Sequence, residues 1–549
     1  MIRAATIVAA AALLAPATAA AFGPKTVTAA PAAAQAGANS DFTVHFDVDE
    51  SARDIKGFVI HLPPGEVGAA TATPLCTQAQ FAAKACPATT QVGTTTTTAT
   101  LLGVPVPLTI PGVLYNLQPT GSEPARLGIR LTPSVGDEVL LQSVITVRAS
   151  DGGLDSSVDG LPNTAGGIPI DVTAIDITLL GRAGNPPKGF MSNPTSCGTA
   201  TTTVDAFAYD GARGSGSAAF TPTGCDKLPF APKLSAVLDG AAKGARPALT
   251  TVVEQPAGQA NARSVQVSLP TGIGAVPAIL LRACPEAVFA QRGCPANARI
   301  GSAKAETPAL AAPLTGPVVL VKPAAMPLPQ LVLDLHGPIS LRLPVTFGFG
   351  PGGRLRSTLS GLPDTALSRF TLNLEGGKDG LLANGRDLCA GAPRVDAAFV
   401  GQNGATASAS ATPELRGCVP AGKATLKGLA RKRPTLVLRF TTGLGPRLTS
   451  VGLTLPKTLR IARSGLRKSL IVVAGGRRVA KPSLRRTART LTVGGLPKGG
   501  SSAVELRLRR GAVALARKLK AGTSVTLTLA SRDVTGAQHK LALRVRAAR

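Results

Sequence analysis

Apolar and polar residues alternate over short runs along most of this chain. Phe42, Val44, Phe46 and Val48 interleave with Thr43, His45 and Asp47, the period-two pattern of a strand with one buried face. Segments 94–98, 139–147, 168–179, 318–321, 331–335 and 370–374 read the same way. Seven further strands are expected at 435–440, 448–455, 470–474, 490–493, 503–508, 525–530 and 541–545. The 61 Gly and 45 Pro that punctuate the chain exclude long helices. Many short strands between turn residues predict an all-β protein of tandem β-sandwich, immunoglobulin-like domains. Residues 510–520 are an exception, because their Ala, Leu, Arg and Lys also suit a short basic helix. With no Trp and only Tyr115 and Tyr209 as tyrosines, the cores must come from small aliphatics and 15 Phe. Such cores gain little per residue, so cross-links are structurally sensible.

The eight cysteines fall into two sets with one grammar. Cys76, Cys86, Cys197 and Cys225 are spaced 10, 111 and 28 apart, and Cys284, Cys294, Cys389 and Cys418 are spaced 10, 95 and 29 apart. Ala79 and Phe81 follow the first Cys as Ala287 and Phe289 follow the fifth, and Pro87 and Pro295 follow the second of each set. Leu62-Pro63-Pro64-Gly65 parallels Leu269-Pro270-Thr271-Gly272, Gly160-Leu161-Pro162 parallels Gly361-Leu362-Pro363, and Asn193 and Asn384 precede the third Cys of their sets. The chain therefore divides into a disulfide-bonded unit at 41–230, its duplicate at 231–420 and a sandwich at 421–549, after an Ala-rich linker at 22–40. Eight cysteines allow 105 pairings, and one connectivity shared by two copies leaves three. Pairing of neighbours is expected: Cys76–Cys86, Cys197–Cys225, Cys284–Cys294 and Cys389–Cys418. Each bridge is worth roughly 3 kcal/mol by chain entropy. The first of each pair clips a short helix, with Thr77 suited to an N-cap and Pro285 to a first turn. No C-x-x-C occurs and there are only four His, which disfavours zinc.

These residues resemble a group of secreted repeat proteins encoded in actinobacterial genomes. The likeness covers roughly residues 41–420. It is most specific at Gly167-Ile168-Pro169-Ile170-Asp171-Val172, Asn193-Pro194-Thr195-Ser196-Cys197, Leu228-Pro229-Phe230-Ala231-Pro232-Lys233-Leu234, Phe370-Thr371-Leu372-Asn373-Leu374-Glu375-Gly376-Gly377 and Gly401-Gln402-Asn403-Gly404. It implies secretion and repeated β units, and carries over no catalytic residue.

Export is also read from the N-terminus. Arg3 precedes the apolar run 4–14, and small residues at 17–21 offer two overlapping A-x-A cleavage options, so residues 1–21 are expected to be a signal peptide. That run is shorter than the roughly 20 residues a membrane span requires. Charge then separates the two ends of the chain. Residues 419–549 hold 30 of the 59 Lys and Arg but only 2 of the 30 acids, Glu505 and Asp533, for a net +28; the rest nets +1. Strand alternation places Arg507 and Arg509 opposite aliphatics, with Arg510 next to them. Arg477, Arg478, Lys481, Arg485, Arg486 and Arg489 cluster earlier. These nine residues are the candidate polyanion site. The expected partner is an anionic cell-envelope polymer or an acidic lipid surface, bound in a salt-sensitive way. Phe440 is the only aromatic after 419, which disfavours base stacking and sequence-specific nucleic acid.

Catalytic constellations are sparse. There is no H-E-x-x-H, P-loop or G-x-S-x-G, and His45, His61, His336 and His539 read as surface or turn histidines. Gly348-Phe349-Gly350-Pro351-Gly352-Gly353 matches a dinucleotide loop. Pro351 and the strand-like residues after it favour a hairpin turn. Leu455-Pro456-Lys457-Thr458 reads as a turn rather than a wall-sorting signal. Asp47, Asp49 and Glu50 read as an acidic patch on an edge strand, with calcium the weaker alternative. The chain thus reads as a secreted, non-catalytic surface protein with no cofactor. The alternatives are an extracellular hydrolase acting through carboxylates distant in sequence and a non-specific binder of extracellular polyanions such as DNA.

Overall fold

The computed structural model describes residues 22–48, 54–101, 104–134, 136–165, 167–418, 420–428, 434–517 and 522–546. The expected export signal lies outside them, as do Asp49 and Glu50. Within them, no helix is long and apolar enough to cross a membrane.

The first unit is one antiparallel sheet built from eleven principal strands: β1 Pro24–Pro31, β2 Phe42–Val48, β3 Ile55–His61, β4 Gln91–Leu101, β5 Val104–Leu117, β6 Ala125–Leu131, β7 Val139–Val147, β8 Leu154–Asp159, β9 Ile168–Leu179, β10 Ala200–Ala208 and β11 Arg213–Phe220. Their order across the sheet is β1-β2-β9-β4-β5-β6-β7-β8-β3-β10-β11. The second unit supplies β12 Lys233–Asp239, β13 Ala248–Glu254, β14 Ala262–Ser268, β15 Arg299–Glu306, β16 Leu314–Lys322, β17 Gln330–His336, β18 Ser340–Phe349, β19 Leu355–Ser360, β20 Arg369–Leu374, β21 Val395–Gly401 and β22 Thr406–Ala411. Adding eleven to every label of the first order reproduces the second. The duplicated sequence is a duplicated topology.

Each sheet folds over on itself, so its two halves supply the facing layers of a sandwich. β2 and β3 are far apart in hydrogen-bonded order, yet the Phe46 and Phe58 rings meet edge to face at 5.3 Å. The sheet's two ends also approach, with the Phe42 and Phe220 rings 5.9 Å apart. A Cβ on Gly216 would lie 2.5 Å from Val27 Cγ2, so β1 can reach β11 only over a glycine. Residues 22–40, read from their alanines as a linker, are therefore corrected: they supply β1 and the buried Phe22 and Ala29. β1 also covers β2, which is not the edge strand expected from Asp47.

All four neighbour pairings of cysteine are present, with Cα–Cα distances of 5.4, 5.9, 5.6 and 5.8 Å. Cys76–Cys86 brackets the helix Gln78–Ala82, where Thr77 and Gln80 form a reciprocal capping box. Cys284–Cys294 brackets Glu286–Ala290, with Pro285 just ahead of its first turn.

The C-terminal sandwich pairs two five-stranded sheets. Its strands are β23 Ala421–Lys427, β24 Thr435–Thr441, β25 Leu448–Thr454, β26 Leu470–Ala474, β27 Arg477–Arg478, β28 Ser483–Arg486, β29 Thr490–Gly494, β30 Ala503–Leu508, β31 Ser524–Asp533 and β32 Gln538–Arg546. One sheet runs β23-β24-β30-β26-β27 and the other β28-β29-β25-β31-β32. Leu436, Leu438, Leu491, Val493, Leu506 and Leu527 close the core between them, all fully buried. The basic helix considered at 510–520 is corrected: Val513–Leu515 is a strand paired with Leu459–Ile461, and 518–520 lie outside the described residues.

Antiparallel neighbours send alternate loops to opposite ends of each sheet. In the first unit, loops 62–90, 118–124, 148–153 and 180–199 share one end, here called the far end. In the second unit, loops 255–261, 307–313, 361–368 and 402–405 share the near end. The far end of the first unit meets the near end of the second, as shown by Thr71 Oγ1 donating to Pro308 O at 3.0 Å. The far end of the second unit meets the sandwich, where Leu444 N donates to Cys389 O at 3.1 Å.

Candidate functional site

The nine cations predicted for polyanion contact are all exposed. β27 is the last strand of one C-terminal sheet and β28 the first of the other, so Arg477, Arg478, Lys481, Arg485 and Arg486 run along the seam where the sheets meet. Arg489 sits one residue ahead of β29. Register then extends the patch over one outer face: Ile471 pairs with Arg507 and Val473 with Arg478, so Arg478 and Arg507 look outward on the same sheet. Arg509 and Arg510 follow at the end of β30. The chosen stretches do not single out Lys423 or Arg439, which pair with each other across β23 and β24 on that face. The signal was present in the alternation Leu436-Val437-Leu438-Arg439-Phe440.

Compensation of this charge is slight. Among the described residues, the arginines and lysines of the C-terminal sandwich form ion pairs only with Glu505. Arg439 Nε lies 3.2 Å from it and Arg507 binds its other oxygen. The Arg507 hydrogen bond, followed by that of Arg439, holds the Glu505 carboxyl below the usual carboxylate range. Asp533 is turned inward, accepting from Thr535 and His539.

A second constellation lies at the joint between the first two units. Asp364, almost wholly buried, accepts from Thr195 N at 2.8 Å, Thr195 Oγ1 at 2.5 Å, Ser196 N at 3.2 Å and Asn261 Nδ2 at 2.8 Å. Asn403 Nδ2 donates to Cys225 O at 3.0 Å and Leu228 O at 3.1 Å. Three stretches that looked most motif-like in the sequence, those around Thr195, Leu228 and Asn403, thus meet at one inter-unit lock. Sequence reading misses its central acceptor, although Asp364 follows Leu362-Pro363 where Asn163 follows Leu161-Pro162. Asn193 and Asn384 do the same work within their own units. Asn193 Nδ2 bonds Ala33 O and Gln35 O, and Asn384 Nδ2 bonds Gly240 O and Ala242 O.

The remaining sequence candidates are dispersed. Gly348–Gly353 forms the hairpin between β18 and β19, and Leu459 N closes a turn on Pro456 O. The histidines stand on strands rather than in turns, each beside an aspartate. His61 bridges Asp155 at 2.8 Å and Asp205 at 3.2 Å, and His45 bridges Asp176 at 2.9 Å and Asp47 at 3.4 Å. His61 thereby ties β3 to β8 and β10, and His45 ties β2 to β9 through Asp176. Among the described residues, no three of His, Cys, Asp and Glu gather to hold a metal ion.

No protein-family model and no curated protein matches the chain. Solved structures that match include domains of bacterial surface proteins. The C-terminal domain of the Streptococcus pyogenes antigen I/II-family protein AspA is 12% identical, with 58% of this chain and 99% of that one covered, at a TM-score of 0.25. The collagen-binding domain of the Erysipelothrix rhusiopathiae surface protein RspB is 10% identical, with 58% and 92% covered, at 0.18. A bacterial ice-binding adhesin is 10% identical, with 96% and 98% covered, at 0.16. Scores this low carry no argument, and the fold rests on the strand pairings above.

Proposed function

We propose that this chain is an exported, non-catalytic protein of the cell surface. Its two disulfide-pinned units form a locked spacer, and its basic C-terminal sandwich holds it on an anionic envelope polymer. The observation that carries this reading is the seam from Arg477 to Arg486, where cations from both sheets are exposed and, among the described residues, the one acid paired with the domain's arginines, Glu505, lies on β30. A polymer bearing repeated phosphates or carboxylates can lie along that seam and exchange its counterions for guanidinium groups. The four disulfides suit an oxidising compartment outside the cytoplasm. The test is retention on isolated cell envelopes under rising salt, comparing the full chain with a variant in which Arg477, Arg478, Arg485 and Arg486 are all glutamine. The variant is expected to elute at distinctly lower salt. Elution at the same salt removes the seam from the binding surface.

A further inference from the structure

The far ends of the two repeated units are built from the same loops with opposite chemistry. In the first unit, loops 118–124 and 148–153 are polar, from Gln118 to Glu123 and from Arg148 to Asp151, and the second unit packs on the latter at Gly152. A Cβ on Gly152 would lie 2.6 Å from Pro363 Cβ, so this hairpin tip is part of the joint. In the second unit, the matching loops carry Met326, Leu328 and Phe349, all exposed, with Phe349 at 73%. Leu281, 87% exposed, stands at the same end, because its neighbour Arg282 pairs with Asp379 in the loop after β20. Leu444, also exposed, adjoins from the C-terminal sandwich through its bond to Cys389.

We infer that this end of the second unit is a membrane-contact surface, in which Phe349, Leu281 and Leu328 enter the headgroup region of an anionic lipid bilayer. Two features favour lipid over a folded partner. The apolar groups stand on separate loops rather than lining a groove, and Phe349 projects from a Gly- and Pro-rich hairpin. The charge around the tips is complementary to an acidic surface. Asp379 is engaged by Arg282 and Lys378, Asp396 by Arg354 and Arg394, and Asp387 by Cys389 N, which leaves exposed Arg292, Arg299 and Arg386 against Glu286 and Glu375. Apolar tips ringed by cations, next to a domain of net +28, combine the two terms that hold peripheral proteins on anionic membranes.

The inference rests on the surface-protein reading but uses residues apart from the cationic seam. The experiment is co-sedimentation of the oxidised full chain with vesicles of mixed phosphatidylglycerol and phosphatidylcholine, and of phosphatidylcholine alone, at low and high salt. It is run alongside elution from heparin. The parent chain is expected to bind the mixed vesicles and to keep part of that binding at high salt. A Phe349→Ser, Leu281→Ser variant, whose fold is checked by its melting curve, is expected to bind about tenfold more weakly or worse, with heparin elution unchanged. Absence of vesicle binding by the parent chain overturns the inference. So does equal binding by parent and serine variant, which assigns the vesicles to the seam and leaves the proposed function standing. Loss of heparin retention in the serine variant overturns it too, as does self-association of the parent chain without vesicle binding, which makes the occupant a second copy. Failure of the glutamine variant to lose polymer retention counts only against the proposed function.

Discussion

The first and second units enter the same turn and place different side chains at its end. Gly65 and Gly272 both sit in the left-handed region, at φ of 93° and 91°. Glu66 N then bonds Pro63 O at 3.1 Å and Ile273 N bonds Pro270 O at 3.2 Å. Ile273 completes the core of the second unit. Glu66 is fully buried with neither carboxylate oxygen hydrogen-bonded, and burial pushes its pKa well up. The far ends differ in the same spirit, one polar and set against the second unit, the other carrying exposed apolar tips beside its contact with the sandwich. What the copies share is what the backbone requires: the asparagine clamps, the disulfides, the glycine before the buried residue. What they do not share lies where each unit meets a different neighbour. Repetition here fixes the frame and frees the ends.

The joint gives the largest expected effect. Asp364→Ala would leave Thr195 N, Ser196 N and Asn261 Nδ2 facing one another in a buried space without an acceptor. Each unpaired buried donor costs about 1–3 kcal/mol, so the coupling between units is expected to fall by about 3 kcal/mol or more. Denaturant unfolding should then resolve two transitions where the parent chain is expected to lose both units together, and small-angle scattering should report a more flexible pair. A single unchanged transition would show that the lock contributes no coupling. Among the described residues, the other joint is made instead by backbone contacts from Gly443 to Gly445 against Cys389 and Cys418.

Much of this was legible beforehand, for identifiable reasons. Strands such as Phe42–Val48, Val139–Val147 and Ile168–Leu179 were readable to the residue, because each has one buried and one wet face and is bounded by turn formers. Disulfide connectivity was readable because two copies constrained each other. β1 was hidden by its composition: Ala29 and Ala30 look like linker, and the approach to β11 runs over Gly214 and Gly216 against Phe22, Gly23, Pro24 and Val27, a contact between stretches distant in sequence. The cationic seam was visible as composition but not as a surface, since only pairing puts β27 and β28 at adjoining sheet edges. Asp364 and Glu66 were silent, because a buried carboxylate and an exposed one are the same letter.

Glu66 is expected to give the next largest effect, and a pH signature. A carboxyl whose folded pKa is raised binds its proton more tightly in the native state than when unfolded. Stability is therefore greatest below the ordinary carboxylate pKa and falls as pH rises from there through the raised folded value. Glu66→Ile, which copies the second unit, should remove this slope and stabilise the first unit at neutral pH by about 1–3 kcal/mol, the cost of burying a polar group without a partner. Glu66→Gln should flatten the slope without the full gain. Melting curves taken across pH decide the matter, and a parent chain whose stability rises with pH in that window contradicts the assignment.

The smallest effect concerns Glu505, and it tests how far the cationic surface extends. Its carboxyl is held low by Arg507 and then Arg439, so the pair's contribution is present above the unfolded carboxylate pKa and is lost as pH falls through the lowered folded value. The pair sits at the surface, so Glu505→Gln is expected to change stability by no more than about 1 kcal/mol. Binding should respond more clearly than stability. The substitution frees Arg439 and Arg507 from the only acid on the outer face of β24 and β30, so elution from an anionic polymer should move to slightly higher salt. If elution does not move, that face makes no contact and the polymer is confined to the seam, because a cation released from its internal partner can leave binding unchanged only where no external anion reaches it.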